Sequence, residues 1–131
     1  MADMLLPTTE PVIRVTAMAA DANPYGSAFV GWIMGQMALA AGSVASRHSG
    51  AHAPVVAADG CSFTAPVKIG DELSVYAELV KTGRTSMTIE TQAWVRDRHG
   101  EARTQAAAGT FTLVALENGK PRAVVPNKHL V

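Results

Sequence analysis

Between Ala22 and Ser46 the chain carries no charged side chain, acidic or basic, and no histidine. A helix that is apolar on every side cannot face water, so such a stretch has to be enclosed by the rest of the protein. The same gap leaves this stretch without a carboxylate for acid–base chemistry. Cysteine is nearly absent: Cys61 stands alone, which excludes an internal disulfide and fits a reducing compartment. The four histidines, at 48, 52, 99 and 129, never meet in His-x-x-x-His spacing, and there is no Cys-x-x-Cys, so no metal site is expected. Eleven basic and eleven acidic residues cancel. That balance gives no electrostatic reason to expect nucleic acid or an anionic membrane as partner.

The uncharged stretch is long enough to raise the question of a membrane span. Ala and Gly fill much of it, Gln36 sits near its middle, and the segments after it alternate like soluble strands. A buried helix is the better reading. Asp3 stands where a secretory signal would carry Lys or Arg, and the apolar run behind it is too short for a signal core. These features predict a cytoplasmic protein. With 131 residues, 48% of them apolar, the chain is expected to form one domain with its own core over about residues 12–122, followed by a loosely held tail at 123–131.

The local pattern predicts a short strand over Val12–Thr16, after Pro11. Asp21 to Ser27 is turn chemistry: Asn23 before Pro24 disfavours helix, and Gly26 permits unusual backbone angles. Ser27 reads as the N-cap of a helix running to about Arg47 and broken by Ser49-Gly50. Gly31, Gly35 and Gly42 share much of one helix face and would let another backbone approach. Four longer strands are predicted over 55–64, 71–81, 85–96 and 103–116. In the second of these, Leu73, Val75, Ala77 and Leu79 share a face; in the third, Met87, Ile89, Thr91, Ala93 and Val95 do. Thr82-Gly83-Arg84, Asp97–Gly100 and Asn118-Gly119 read as turns. The predicted class is α+β, a curved antiparallel sheet of about five to six strands wrapped around one long central helix. A single sheet cannot cover such a helix completely, and the uncovered side predicts a partner subunit.

Several segments, in this order, carry a family resemblance: Asp21-x-Asn23; Gly26-x-x-Phe29-x-Gly31-Trp32-Ile33-Met34-x-Gln36-Met37; Asp59-Gly60-x-x-Phe63-x-x-Pro66-Val67-x-x-Gly70-Asp71; Gly83-Arg84-Thr85-Ser86; and Gly119-Lys120-Pro121-Arg122. From about Val12 to Arg122 the chain resembles the YciA-type acyl-CoA thioester hydrolases of the hot-dog superfamily. The resemblance implies a hot-dog fold with the helix as the filling. It implies dimers whose sheets join edge to edge, commonly assembled as a trimer of dimers, with acyl-CoA bound in a tunnel at the dimer interface. Coenzyme A enters as part of the substrate, and no other cofactor is implied.

Thioester hydrolysis needs a polarised carbonyl, an activated water and a hold on CoA. In the resembling family the start of the central helix receives the carbonyl, here the backbone around Phe29, Val30 and Gly31. Gly31 either admits a ligand or only permits packing. The family loop reads Asn-x-Asn-Gly-Asp-x-Phe-Gly-Gly-Trp, whereas this chain has Tyr25, Ser27 and Val30 at the second Asn, the Asp and the first paired Gly. The aspartate regarded as catalytic is thus replaced by Ser27. Where members often read Ser-Gln-Met-Asp, this chain has Gly35-Gln36-Met37-Ala38, so both carboxylate positions are neutral. Ser27 is a nucleophile only with a base beside it, and otherwise a cap or a water-positioning group. Asp59 is the remaining carboxylate in a matching segment and a candidate base. Asn23 can donate to a carbonyl, orient water or organise its loop, and Asp21 reads as loop-shaping. Gly83, Arg84, Thr85 and Ser86 are the candidate CoA contacts, with Arg84 suited to phosphate; Lys120 and Arg122 are weaker candidates. The expected function is acyl-CoA thioester hydrolysis, in full or attenuated form; the competing one is acyl-CoA binding without catalysis. A hot-dog dehydratase would need a histidine near the helix start, and none is there.

Overall fold

The uncharged stretch forms α1, Val30–Ser49, in the computed structural model, which describes residues 5–124. Around it lie β1 (Ile13–Thr16), β2 (Val55–Phe63), β3 (Glu72–Thr82), β4 (Ser86–Arg96), β5 (Arg103–Val114) and a ribbon of β6 (Leu116–Glu117) and β7 (Lys120–Pro121). The first five strands form one antiparallel sheet in the order β1-β3-β4-β5-β2. The α+β class and the hot-dog arrangement hold, with a five-stranded sheet as the bun and β6–β7 set apart as a two-stranded ribbon.

Strand alternation explains why the sheet wraps the helix. Leu73, Val75, Met87, Ile89, Ala93, Phe111 and Leu113 point to one face and join Ile33, Met37, Ala40, Ala41 and Ala45 of α1 in a single core cluster. Thr91 lies on that face as well, its hydroxyl donating to the Gly109 carbonyl at 2.9 Å, so the polar group is buried without cost in unmet hydrogen bonds. Tyr76 and Trp94 are also buried but belong to the opposite face, outside that cluster. The Trp94 indole donates to Gln92 Oε1 at 2.9 Å.

Gly109 shows how closely the concave face is packed. A Cβ there would lie 2.5 Å from Cys61 Sγ, so the thiol of β2 fills the space that a side chain on β5 would need. Gly60, beside it, has φ of 59° at a break in the β2–β5 register between Asp59 and Ser62, which is β-bulge geometry. Cys61 is half-buried.

Several boundaries differ from expectation. The helix begins at Val30 with Phe29 as its N-cap, so Ser27 does not cap it, and it runs on to Ser49 with Gly50 in the left-handed region at φ 67°. The reason is that Ser27 and Ala28 are drawn into bridges with Lys68 and Ala22 and stay extended. The expected last strand, 103–116, ends at Val114 because Ala115 turns the chain into the ribbon, where Asn118 and Gly119 both have positive φ. His48 belongs to the last turn of α1. Residues just past Pro121 are not loosely held: the Arg122 guanidinium donates to Ser49 O at 2.7 Å, and the Val124 N–H donates to Arg84 O at 2.8 Å. His129 and the rest of the expected tail, 125–131, lie outside the described residues.

Gly109→Ala is expected to lower stability by about 1–3 kcal/mol through overpacking, read from denaturant unfolding. The double variant with Cys61→Ala should recover part of that loss, since it removes the sulfur that the new methyl meets.

Candidate functional site

The site is built from the loop that enters α1. Asn23 organises it. Its Oδ1 accepts from the N–H of Tyr25 at 2.8 Å and of Ser27 at 3.0 Å, and its backbone N–H donates to Ser27 O at 2.6 Å. Gly26, at φ 94°, allows the chain to turn within that ring. The Phe29 N–H donates to Asp21 O at 2.7 Å, and the Ala28 N–H to Val67 O at 2.7 Å, which ties the loop to the segment before β3. Asp21 Oδ2 accepts from the Met18 N–H at 2.9 Å, a loop-shaping role.

This network decides which backbone donors are left over. Of the three residues expected to present N–H groups, Phe29 is already committed to Asp21. The first turn closes through Trp32 and Ile33, whose N–H groups donate to Phe29 O at 2.9 and 3.2 Å. Among the described residues, the N–H groups of Val30 and Gly31 find no acceptor. Two free donors at the positive end of a helix dipole make an anion-favouring position. The Asn23 carboxamide is split in its duties: its oxygen holds the loop, and its NH2 has no partner among the described residues. The Ser27 hydroxyl likewise makes no hydrogen bond among them, and no acid or histidine stands within bonding reach to activate it.

Gly31 lies under the side chain of Phe29. A Cβ on it would stand 2.5 Å from Phe29 Cε2 and 2.9 Å from Cδ2. The ring of the cap residue, two positions earlier, lies over the side-chain space of Gly31, so a side chain there would have to displace it.

Further along α1, Gly35, Ala38 and Gly42 follow Gly31 at helical spacing. With Leu39 and with Pro54 and Val55 at the start of β2, they border a groove of about 560 Å³. Leu39 is 64% and Val56 59% exposed, and β2 ends the sheet with one edge unpaired. Ala38 thus lies about 10 Å along the axis from Gly31, on the helix side that the sheet does not cover. Met37, one residue before Ala38, is wholly buried in the core.

Asp59 lies in β2, the edge strand, and not in the loop that enters α1. It pairs with Thr110, whose neighbours in register share the face opposite the buried Phe111, so its side chain is directed to the outer face and is exposed. The Gly83–Ser86 segment makes the β3–β4 turn, with the Gly83 N–H donating to Ser86 O at 2.8 Å and Ser86 Oγ packed against Gly83. Arg84 is exposed and makes no ion pair among the described residues. Arg122 is otherwise engaged, on Ser49 O and 3.5 Å from Glu117, whereas Lys120 is exposed on β7. No group of His, Cys, Asp and Glu suited to a metal occurs among the described residues, and no helix among them is long and apolar enough to cross a membrane. The free N–H pair and the split role of Asn23 were not readable beforehand, because both depend on which neighbours the loop bonds.

The thioesterase superfamily model matches residues 25–102. An uncharacterized acyl-CoA thioester hydrolase of Zymomonas mobilis is 51% identical over 122 residues, covering 93% of this chain and 82% of that protein. The acyl-CoA thioester hydrolase YciA of Salmonella typhimurium is 37% identical over 120 residues, covering 88% and 90%. The chain belongs to the thioesterase superfamily, in its YciA-type group. The crystal structure of a hexameric hotdog fold thioesterase of Campylobacter jejuni matches this family member with a TM-score of 0.84 at 31% identity, over 89% of this chain and 91% of that one.

Asn23→Ala is expected to free the Tyr25 and Ser27 N–H groups and cost about 1–3 kcal/mol. Hydrogen exchange should then quicken from Tyr25 to Gly31 while the β3–β4 amides stay protected.

Proposed function

We propose that the chain hydrolyses acyl-CoA thioesters slowly, with the carbonyl oxygen held by the N–H groups of Val30 and Gly31. The observation that carries this reading is that pair of donors, left without acceptors at the start of the buried helix in a member of the thioesterase superfamily. Donors fixed before the reaction favour the oxyanion over the neutral carbonyl, which lowers the barrier. The oxygen of a water adds to the carbonyl carbon, the carbon–sulfur bond breaks, and CoA departs with the proton on its sulfur. One water is consumed for each acid and each free CoA formed, and this chemistry calls for no resident cofactor.

The Asn23 NH2 orients that water or adds a third donor to the carbonyl, and the Ser27 hydroxyl positions water in the same loop. Asp59, directed to the outer face, is left out of the step. The turn of Gly83, Arg84, Thr85 and Ser86 holds CoA, the guanidinium of Arg84 pairing with phosphate. Two copies join along their β2 edges and enclose the groove beside Ala38 and Leu39, which buries the exposed apolar side chains there, and three such dimers form a hexamer. The hexameric state of the Campylobacter jejuni relative supports this assembly. The reducing setting that a lone cysteine suits makes the cytoplasm its location.

The rate is low because Ser27 and Ala38 stand where the family pattern has carboxylates. A missing general base costs about 10² to 10⁴ in rate, while an intact oxyanion site retains about 10² to 10³. The same two neutral positions favour a second reading, an acyl-CoA-binding protein without catalysis.

Thiol release from a series of acyl-CoAs separates the two. Turnover above buffer is expected, and CoA binding with no turnover would leave only the binding reading. Ser27→Asp and Ala38→Asp, made separately, restore a carboxylate at each position. At least one is expected to raise turnover by about 10² or more, the usual worth of a general base. No gain in either would overturn the view that only the base is lacking.

A further inference from the structure

Phe29 is the residue that leads into α1. Its backbone is fixed on both sides: the N–H donates to Asp21 O at 2.7 Å, and the carbonyl accepts from Trp32 and Ile33 at 2.9 and 3.2 Å. Its side chain is 56% exposed. The ring lies back across Gly31, with Cε2 and Cδ2 at 2.5 and 2.9 Å from where a Cβ would be. Swinging it off would expose still more apolar surface. Beside it Val30, 45% exposed, adds a branched side chain at the next position.

We propose that Phe29 determines acyl specificity, its ring across Gly31 admitting straight-chain acyl groups and excluding those branched next to the carbonyl. The inference rests on the reading that the thioester carbonyl sits at Val30 and Gly31. A carbonyl oxygen bonded to the Gly31 N–H brings the α-carbon of the acyl group within a few ångströms of the same residue, about the length of two covalent bonds beyond the hydrogen bond. The ring already occupies one side of that space. A methylene α-carbon can pass it; a carbon with a second substituent meets it.

The test is binding, so it does not depend on a fast enzyme. Dissociation constants are measured by calorimetry for CoA and for ketone thioether analogues of propionyl-CoA and isobutyryl-CoA, in which a methylene separates sulfur from carbonyl. The wild-type protein is expected to prefer the straight analogue by about tenfold, the usual worth of one badly fitted methyl group. Phe29→Ala should remove that preference and Phe29→Leu reduce it, with CoA binding unchanged in both as proof of an intact fold. An equal preference in Phe29→Ala, or no preference in the wild type, overturns the proposal while leaving the hydrolase reading in place. Failure of the wild-type protein to bind CoA at all overturns the hydrolase reading, and this inference with it.

Discussion

Everything else in the molecule depends on enclosing one uncharged helix. Met37, Ala40, Ala41 and Ala45 of α1 are wholly buried against Leu73, Met87, Ile89 and Phe111. Small side chains on the helix let the sheet come close, and the sheet bends to meet them. Where the curved surface is tightest the chain uses glycine, and Cys61 fills the gap at Gly109. Burial of apolar surface is non-directional, so it brings the helix and sheet together without fixing details. Strand register and the bulge at Gly60 supply those.

The enclosure is one-sided. The sheet covers the helix face that carries Ile33, Met37 and Ala41, and leaves Gly35, Ala38, Leu39 and Gly42 along a groove open to water. The same half-open side lies next to the unpaired edge of β2. An exposed strand edge and an exposed apolar groove in one place are both liabilities for a lone chain. The pairing of two copies proposed above would remove both and close a space along the helix at the same time.

At its N-terminus the helix exchanges charge for backbone. The loop from Asp21 to Phe29 bonds all of its backbone N–H groups, with the Asn23 side-chain oxygen taking two of them and the Asp21 carbonyl a third. Without a partner among the described residues are the N–H groups of Val30 and Gly31 that follow it, the amide nitrogen of Asn23 and the Ser27 hydroxyl. A site made of backbone donors survives substitutions that remove side-chain charge. On the function proposed above, neutral residues at Ser27 and Ala38 leave the polarising half of the chemistry in place and the water-activating half without a carboxylate.

By itself the sequence determined the buried helix, the alternating strands, the Asn118-Gly119 turn and the family, because each rests on local periodicity or on the order of short motifs. It also determined which carboxylates are lacking. Only the tertiary structure decided that Ser27 stays extended and Phe29 caps the helix, since bridges to Ala22 and Lys68 outweigh the capping preference of serine. It decided that Arg122 is spent on the end of α1, that Asp59 faces outward, and that Gly31 shelters a ring. Each of these depends on which distant segment arrives at a given face. A one-residue change of register or of helix start redirects a side chain completely, and no local pattern in the chain specifies that.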